Sequence, residues 1–135
     1  MIHIEAETFT QSLAVAGNPG EQKGLVYVHD CYTGGKQVYF QKNMNESWVE
    51  YAVDVPTSGV YGVKMRVAAP NYKQVLNISS GKDKLATIKI PNTTGLWRTT
   101  QEVDVRLKKG VQTLRMSAAF QRGVAIRWLE LKRKP

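Results

Sequence analysis

Short runs in which hydrophobic and polar residues alternate recur along the whole chain. The clearest run is Ser47–Val55, which is followed by the turn sequence Pro56-Thr57-Ser58-Gly59 and a second alternating run, Val60–Ala69. Alternation with a period of two is typical of half-buried strands, and helical periodicity is nearly absent. The four-residue connection predicts that these two strands form a hairpin.

Further strands are predicted on both sides of this pair. They cover Ile2–Glu7, Leu25–His29, Gln37–Gln41, Val75–Ser79, Leu85–Ile90, Thr100–Leu107, Val111–Ala118 and Val124–Leu131. The junction Leu107–Val111 reads as a tight turn in which Gly110 takes a positive φ. About ten short strands without a helix predict an all-β fold, an antiparallel β-sandwich or barrel. The length of 135 residues suits one domain, residues 1–135.

The charge is basic and unevenly distributed. The formal net charge is +8, of which residues 98–135 carry +7 and residues 1–97 only +1. A basic segment suits a polyanionic partner, whereas the plainer interpretation is a solvated face with a basic tail, Lys132-Arg133-Lys134.

The sequence also limits the compartment and the class of partner. Cys31 is the single cysteine, which excludes an intrachain disulfide and a cysteine-based zinc site. No stretch approaches the roughly 18 apolar residues of a membrane helix, so we expect no membrane partner. Because Met1–Glu5 enters a strand pattern without a signal peptide, we expect a module of a longer protein.

Signals for catalysis are weak in the sequence, and no spacing singles out a pair of carboxylates as a glycosidase acid and base. His3 and His29 lie in predicted strands without metal-ligand spacing, and no nucleophile elbow, phosphate loop or zinc-protease motif occurs. Glu5 and Glu7 are more informative, because strand alternation would place both carboxylates on one side, where they could bind Ca²⁺. The alternative for this pair is an exposed polar face on an edge strand.

Aromatic residues in or beside predicted loops are the second candidate chemistry. They are Tyr32, Tyr39, Phe40, Tyr72 and Trp97. Aromatic rings in loops can stack on sugar rings or on nucleobases. Trp48, Tyr51, Tyr61 and Trp128 lie inside alternating strands instead, and core packing is the better interpretation for them.

Eight segments follow one another along nearly the whole chain: Ile4–Glu7, Gly35–Tyr39, Ser47–Pro56, Ser58–Tyr61, Arg66–Ala68, Ile90–Trp97, Leu107–Leu114 and Ile126–Leu131. Taken in this order, they resemble the family 6 carbohydrate-binding modules and the related family 35 modules. The resemblance implies a β-jelly-roll that binds a polysaccharide or oligosaccharide without hydrolysing it. It also implies a secreted or cell-surface protein, monomeric, with a covalently linked glycoside hydrolase or lyase domain.

The resemblance further implies a sugar cleft between two aromatic residues, which correspond to Tyr39 and Trp97. A one-residue shift would exchange Tyr39 for Phe40 and reverse the face of the strand. The family's asparagine falls at Ala125, so either the cleft is weakened or altered here or a nearby polar residue, Asn92, Gln121 or Arg122, replaces its hydrogen bonds.

A structural Ca²⁺ is also implied, with Glu5 and Glu7 as ligands, although Arg127 stands where related modules often carry an aspartate and Glu130 is the nearest carboxylate. We therefore predict a non-catalytic module that binds a glycan, which could be acidic given the basic C-terminal segment. The alternative is a basic β-domain that binds nucleic acid or another polyanion, motivated by the +7 segment with Phe120 and Trp128. The lack of an aromatic RNA-binding motif counts against nucleic acid.

Overall fold

The protein folds as a β-sandwich of two antiparallel sheets. The computed structural model describes residues 1–12, 26–31, 34–40, 47–70, 74–118 and 123–135. A single turn of 3-10 helix, Ala6–Thr8, follows the first strand. The strands are β1 (Ile2–Glu5), β2 (Gln11–Ser12), β3 (Val26–Asp30), β4 (Lys36–Phe40), β5 (Ser47–Val55), β6 (Gly59–Ala68), β7 (Gln74–Ser80), β8 (Asp83–Ile90), β9 (Arg98–Thr99), β10 (Val103–Leu107), β11 (Gly110–Ala118) and β12 (Val124–Arg133).

The larger sheet has the order β10-β6-β12-β4-β3, with β1 also paired to β12 and β9 to β6. The smaller sheet has the order β2-β5-β11-β7-β8. Each predicted strand is present with small shifts at its ends, and the jelly-roll prediction is confirmed. Across the described residues, no helix has the length and apolar character needed to cross a membrane.

The predicted hairpin of β5 and β6 is wrong. β5 pairs with β11 and β2, whereas β6 pairs with β10, β12 and β9 in the other sheet. A four-residue connection can join two paired strands or carry the chain across the core, and here it crosses. The turn before Gly110 also joins the two sheets, and this glycine has the expected positive φ of 119°.

The core forms between the sheets because the apolar half of each alternating strand faces inward. Its largest fully buried side chains are Tyr51, Phe40, Met65, Leu76, Ile88, Met116, Ile126, Leu131, Val38, Val49 and Val55. The expectation of core packing is therefore met by Tyr51 and Tyr61, both buried. The hydroxyl of Tyr51 donates a hydrogen bond of 2.8 Å to the carbonyl of Ala6, which ties the 3-10 helix to the core.

Trp48 and Trp128 correct that expectation, because both are only half-buried and lie on the outer faces. The Arg115 guanidinium covers Trp48, with its carbon 3.9 Å from the ring centre, and Arg115 Nε donates to the Glu50 carboxylate at 2.9 Å. Cross-strand pairing places Ser117 opposite Trp48 and Arg115 opposite Glu50. Both tryptophans thus belong to the polar half of the alternation.

Candidate functional site

An open cleft of about 650 Å³ lies at one end of the larger sheet. Strand register places Ala125 opposite both Tyr39 and Ala68, so these side chains share the outer face of the sheet. The segment after β8 forms the opposite wall. The lining residues are Gln37, Tyr39, Ala68, Ala69, Pro70, Thr94, Gly95, Trp97, Gly123 and Ala125. Tyr39 and Trp97, the two aromatic residues predicted for a sugar cleft, therefore line the same cleft.

Strand parity decides which aromatic residue of β4 faces the cleft. Val38 and Phe40 are fully buried, and Tyr39 between them is half-buried on the outer face. The ambiguity between Tyr39 and Phe40 is thereby resolved in favour of Tyr39, because neighbouring residues of a strand point to opposite faces.

Gly123 fits the hydroxyl end of Tyr39 closely. A Cβ atom at position 123 would lie 2.7 Å from the Tyr39 hydroxyl oxygen, and Gly123 has a φ of +91°. The backbone conformation favours glycine, and a Cβ atom here would displace the Tyr39 hydroxyl. Sequence reasoning missed this role of Gly123, although a glycine directly before the predicted strand at Val124 could have indicated a positive φ at that position.

Thr93 holds the segment that carries Trp97. This threonine is fully buried, and its hydroxyl accepts a hydrogen bond of 2.8 Å from the Ala69 N–H. The same hydroxyl donates to the Ala69 carbonyl at 3.1 Å, which also accepts from the N–H groups of Thr93 and Gly95 at 3.3 and 3.4 Å. The segment is thus anchored to the end of β6, a role that sequence reasoning missed because Thr93 lies among ordinary turn residues.

The lining of the cleft is uncharged over the part of the chain that the structure describes. Ala68, Ala69 and Ala125 contribute apolar surface beside the two aromatic rings. Gln37 supplies a side-chain amide whose Nε2 donates to the Asp30 carbonyl at 3.3 Å, leaving its oxygen as an acceptor. Such a surface suits an uncharged ligand with both apolar faces and hydroxyl groups.

The other predicted cleft residues are placed differently. Asn92 is exposed and is not among the described residues that line the cleft; its side-chain oxygen accepts from the Thr94 N–H at 3.0 Å. It therefore shapes the turn rather than the cleft surface. Gln121 and Arg122 lie outside the described residues, as do Tyr32 and Tyr72.

The strand argument for Glu5 and Glu7 is wrong, because β1 ends at Glu5 and the 3-10 helix begins at Ala6. The Glu5 carboxylate is about half-exposed and lies 3.2 Å from Nε2 of His3. Oε2 of Glu7 is buried, and the described residues supply no hydrogen-bond donor to it. The two carboxylates therefore have different surroundings.

His3 lies between two carboxylates on the outer face of β1. Its Nδ1 is 2.9 Å from Glu130 and its ring centre is 5.7 Å from that of Trp128. The hydrogen bond to Glu130 raises the pKa of His3, burial opposes the shift, and Glu5 adds to it. These residues form a hydrogen-bonded cluster of one histidine and two carboxylates on the sheet surface, separate from the residues that line the cleft.

Comparisons with known proteins show what this arrangement resembles. A family model described as carbohydrate binding module (family 6) matches residues 6–133. The C-terminal family 6 module of LamC, a laminarinase of Zobellia galactanivorans, is similar over 98% of both chains at 24% identity, with a TM-score of 0.80.

Two further solved structures are similar over nearly their full length. A family 6 module of Cellvibrio mixtus lichenase 5A, in complex with cellotriose, has a TM-score of 0.77 and 24% identity, covering 99% of this chain and 98% of that one. The family 35 module of Paenibacillus barcinonensis has a TM-score of 0.78 and 23% identity, covering 99% and 100%. No curated protein matches the sequence.

Proposed function

The chain belongs to family 6 of the carbohydrate-binding modules and is therefore not an enzyme. We propose that it binds a neutral glycan between Tyr39 and Trp97. The observation that carries the proposal is that both aromatic residues line one open cleft of about 650 Å³. This volume lies within the range of about 300–1,000 Å³ that is usual for small-ligand sites.

The chemistry of the lining supports stacking as the main source of affinity. The axial hydrogens of a pyranose ring form an apolar face that packs on an aromatic ring, as large apolar surfaces generally do. Around this contact, Gln37 and Thr94 offer neutral hydrogen-bonding groups toward sugar hydroxyls. Ala125 adds apolar surface but cannot hydrogen-bond through its side chain, so orientation of the sugar would depend on the cleft edges.

The uncharged lining residues that the structure describes support a neutral rather than an acidic glycan. None of the described lining residues is a lysine or an arginine, although the last 38 residues carry a net charge of +7. Part of that charge is used elsewhere, since Lys134 pairs with Asp104 at 2.6 Å and Arg115 with Glu50 at 2.9 Å. The cellotriose bound by the Cellvibrio module is also an uncharged ligand.

Affinity electrophoresis and isothermal titration calorimetry with neutral β-glucans, xylan and a polyuronate test the proposal. Trp97→Ala and Tyr39→Ala should each weaken binding by about 5- to 150-fold, taking the roughly 1–3 kcal/mol of base–aromatic stacking as the guide for a sugar face. Leu96→Ala is the matched control, because Leu96 is exposed in the same segment and is not among the described lining residues.

Two outcomes would contradict the proposal. Unchanged affinity in both aromatic variants would show that the glycan binds elsewhere, for example on a sheet face. Preference for the polyuronate, lost at high salt, would show that basic residues select the ligand rather than the uncharged residues described in the cleft lining.

We also propose that the module directs a covalently linked glycoside hydrolase or lyase domain to its substrate, in a secreted or cell-surface protein. Two structural neighbours are modules of such enzymes, a laminarinase and a lichenase. Linkage raises the local concentration of the catalytic domain at the polymer. The coding sequence on either side tests this, and flanking sequence without a hydrolase or lyase domain would contradict it.

A further inference from the structure

Arg127 lies at the point where β12 changes its neighbour. Residues Val124–Ile126 pair with β4, and Trp128–Leu131 pair with β1. On the other edge, the register with β6 shifts between Ile126 and Trp128, so Arg127 is the extra residue of a bulge. Bulges redirect side chains out of the regular alternation. The side chain of Arg127 is thereby directed toward the start of β4.

The guanidinium of Arg127 closes the turn that leads into β4. Its Nη2 donates a hydrogen bond of 2.7 Å to the Gly34 carbonyl. A Cβ atom on Gly35 would lie 3.3 Å from the same nitrogen, and Gly35 has a φ of +73°. The turn therefore approaches the guanidinium with its bare backbone, which only glycine permits in this conformation.

A carboxylate faces the same corner from the 3-10 helix, Ala6–Thr8, which packs against both β4 and β12. Oε2 of Glu7 is buried there without a donor among the residues that are described. The Glu7 carboxylate also acts on Lys36, the first residue of β4. The pKa of Lys36 is raised mainly by its ion pair with Asp30, and the negative charge of Glu7 adds to that rise. The corner thus holds a carboxylate with one buried oxygen, and the side chains of Lys36 and Arg127 bring positive charge to the start of β4.

The residues of this corner do not fit the Ca²⁺ that the family resemblance implies. Calcium requires six to eight oxygen ligands, usually from several carboxylates. Within the described ranges, no three His, Cys, Asp or Glu side chains are grouped so that they could hold a metal. Glu5 is engaged with His3 on the outer face, and the positive charge of Arg127 would repel a divalent cation.

We propose that Arg127 takes the place of a structural cation at the corner of β1, β4 and β12, so that the fold is stabilised without Ca²⁺. A guanidinium carries a permanent charge and five donors, which suits it to hold the Gly34 carbonyl and to supply positive charge where a cation would otherwise do so. Arg127 also acts as a positioning residue for the cleft. It holds the turn before β4, the strand that carries Gln37 and Tyr39 into the cleft, and it lies two residues after the lining residue Ala125 on β12. This last consequence rests on the proposed function.

Thermal unfolding with EDTA and with millimolar CaCl₂ tests the proposal. The midpoint temperature Tm of the wild-type chain should be the same in EDTA and in CaCl₂ to within about 1 °C. A Ca²⁺ site exposed to Ca²⁺ at a hundredfold excess over its Kd would instead raise Tm by roughly 10 °C. Arg127→Met should lower Tm by about 2–5 °C in both solutions, because it removes the hydrogen bond to the exposed Gly34 carbonyl.

Lys132→Met is the matched control, since Lys132 is an exposed cation on the same strand and its loss should change Tm by about 1 °C or less. A rise in wild-type Tm with Ca²⁺, or stoichiometric Ca²⁺ binding in calorimetry, would overturn the proposal. So would an unchanged Tm in Arg127→Met. If that variant fails to fold, the two wild-type calcium measurements still decide.

The glycan affinity of Arg127→Met separates this proposal from the proposed function. A lowered Tm with glycan binding retained would leave the cation role intact and limit it to stability. A wild-type chain that ignores Ca²⁺ but binds no glycan would contradict the proposed function alone.

Discussion

Replacement of Thr93 by valine tests how the cleft wall is anchored. The two side chains have nearly the same shape, so Thr93→Val removes a hydroxyl without creating a cavity. The Ala69 N–H, which donates to that hydroxyl at 2.8 Å, loses its acceptor in a site where Ala69 itself is buried. The Ala69 carbonyl is affected less, because it keeps the N–H groups of Thr93 and Gly95.

The expected cost follows from this single orphaned donor. An unsatisfied buried N–H costs about 1–3 kcal/mol. A chain of 135 residues has an unfolding entropy near 0.28 kcal/mol/K at its midpoint, at about 2.1 cal/mol/K for each residue. Thr93→Val should therefore lower Tm by about 4–10 °C.

Circular dichroism or calorimetric melting measures this shift, and glycan titration at a temperature where both proteins are folded measures the effect on the cleft. Affinity should fall as well, because the anchored segment carries Trp97. Thr113→Val is the control, since Thr113 is exposed on the smaller sheet, and its Tm should stay within about 1 °C. A Thr93→Val protein that melts with the wild type would refute the anchoring argument.

Two further predictions concern side-chain fit and charge. Gly123→Ala should weaken glycan binding, because the new Cβ would lie 2.7 Å from the Tyr39 hydroxyl in a backbone of positive φ; equal affinity and equal Tm would contradict the close fit. His3→Gln should lower Tm at pH 5.5 but have little effect at pH 8. The hydrogen bond to Glu130 raises the pKa of His3, burial opposes this shift, and Glu5 adds to it. The protonated histidine therefore stabilises the fold fully below its unfolded pKa of 6.5, and this stabilisation is lost as the pH rises through the higher pKa of the folded state. The effect should be small, because the His3 side chain is 42% exposed, and a Tm difference that grows with pH would contradict the sign.

The strands could be predicted because alternation is a local property of the chain. Even the outward tryptophans carried a readable signal, since Trp48 has the same parity as Glu50 and Asp54, and Trp128 the same parity as Glu130. The interpretation of these two residues as core followed their hydrophobicity instead of their parity. The limits of β1 were less predictable, because the 3-10 turn after Glu5 interrupts an alternating pattern without any breaking residue.

Strand pairing was not predictable from the same local pattern. The connection between β5 and β6 has the length of a hairpin, yet the chain crosses to the other sheet, where the partners of β6 are β10, β12 and β9, all distant from β5 along the chain. Likewise, Tyr39 and Trp97 were predicted as a pair through the family resemblance, whereas nothing in their spacing brings them together. Their shared cleft depends on the register of β4, β12 and β6.

The sequence by itself determined the β class, the positions of most strands, and the residue types suited to a sugar. Those properties depend on neighbouring residues, whose alternation and turn chemistry act within a few positions. The tertiary structure decided which aromatic residue of β4 faces outward, which hydroxyl anchors the wall, and how Arg127 reaches Gly34. Each of these depends on a contact between segments distant in the chain, formed only when the two sheets close on a common core.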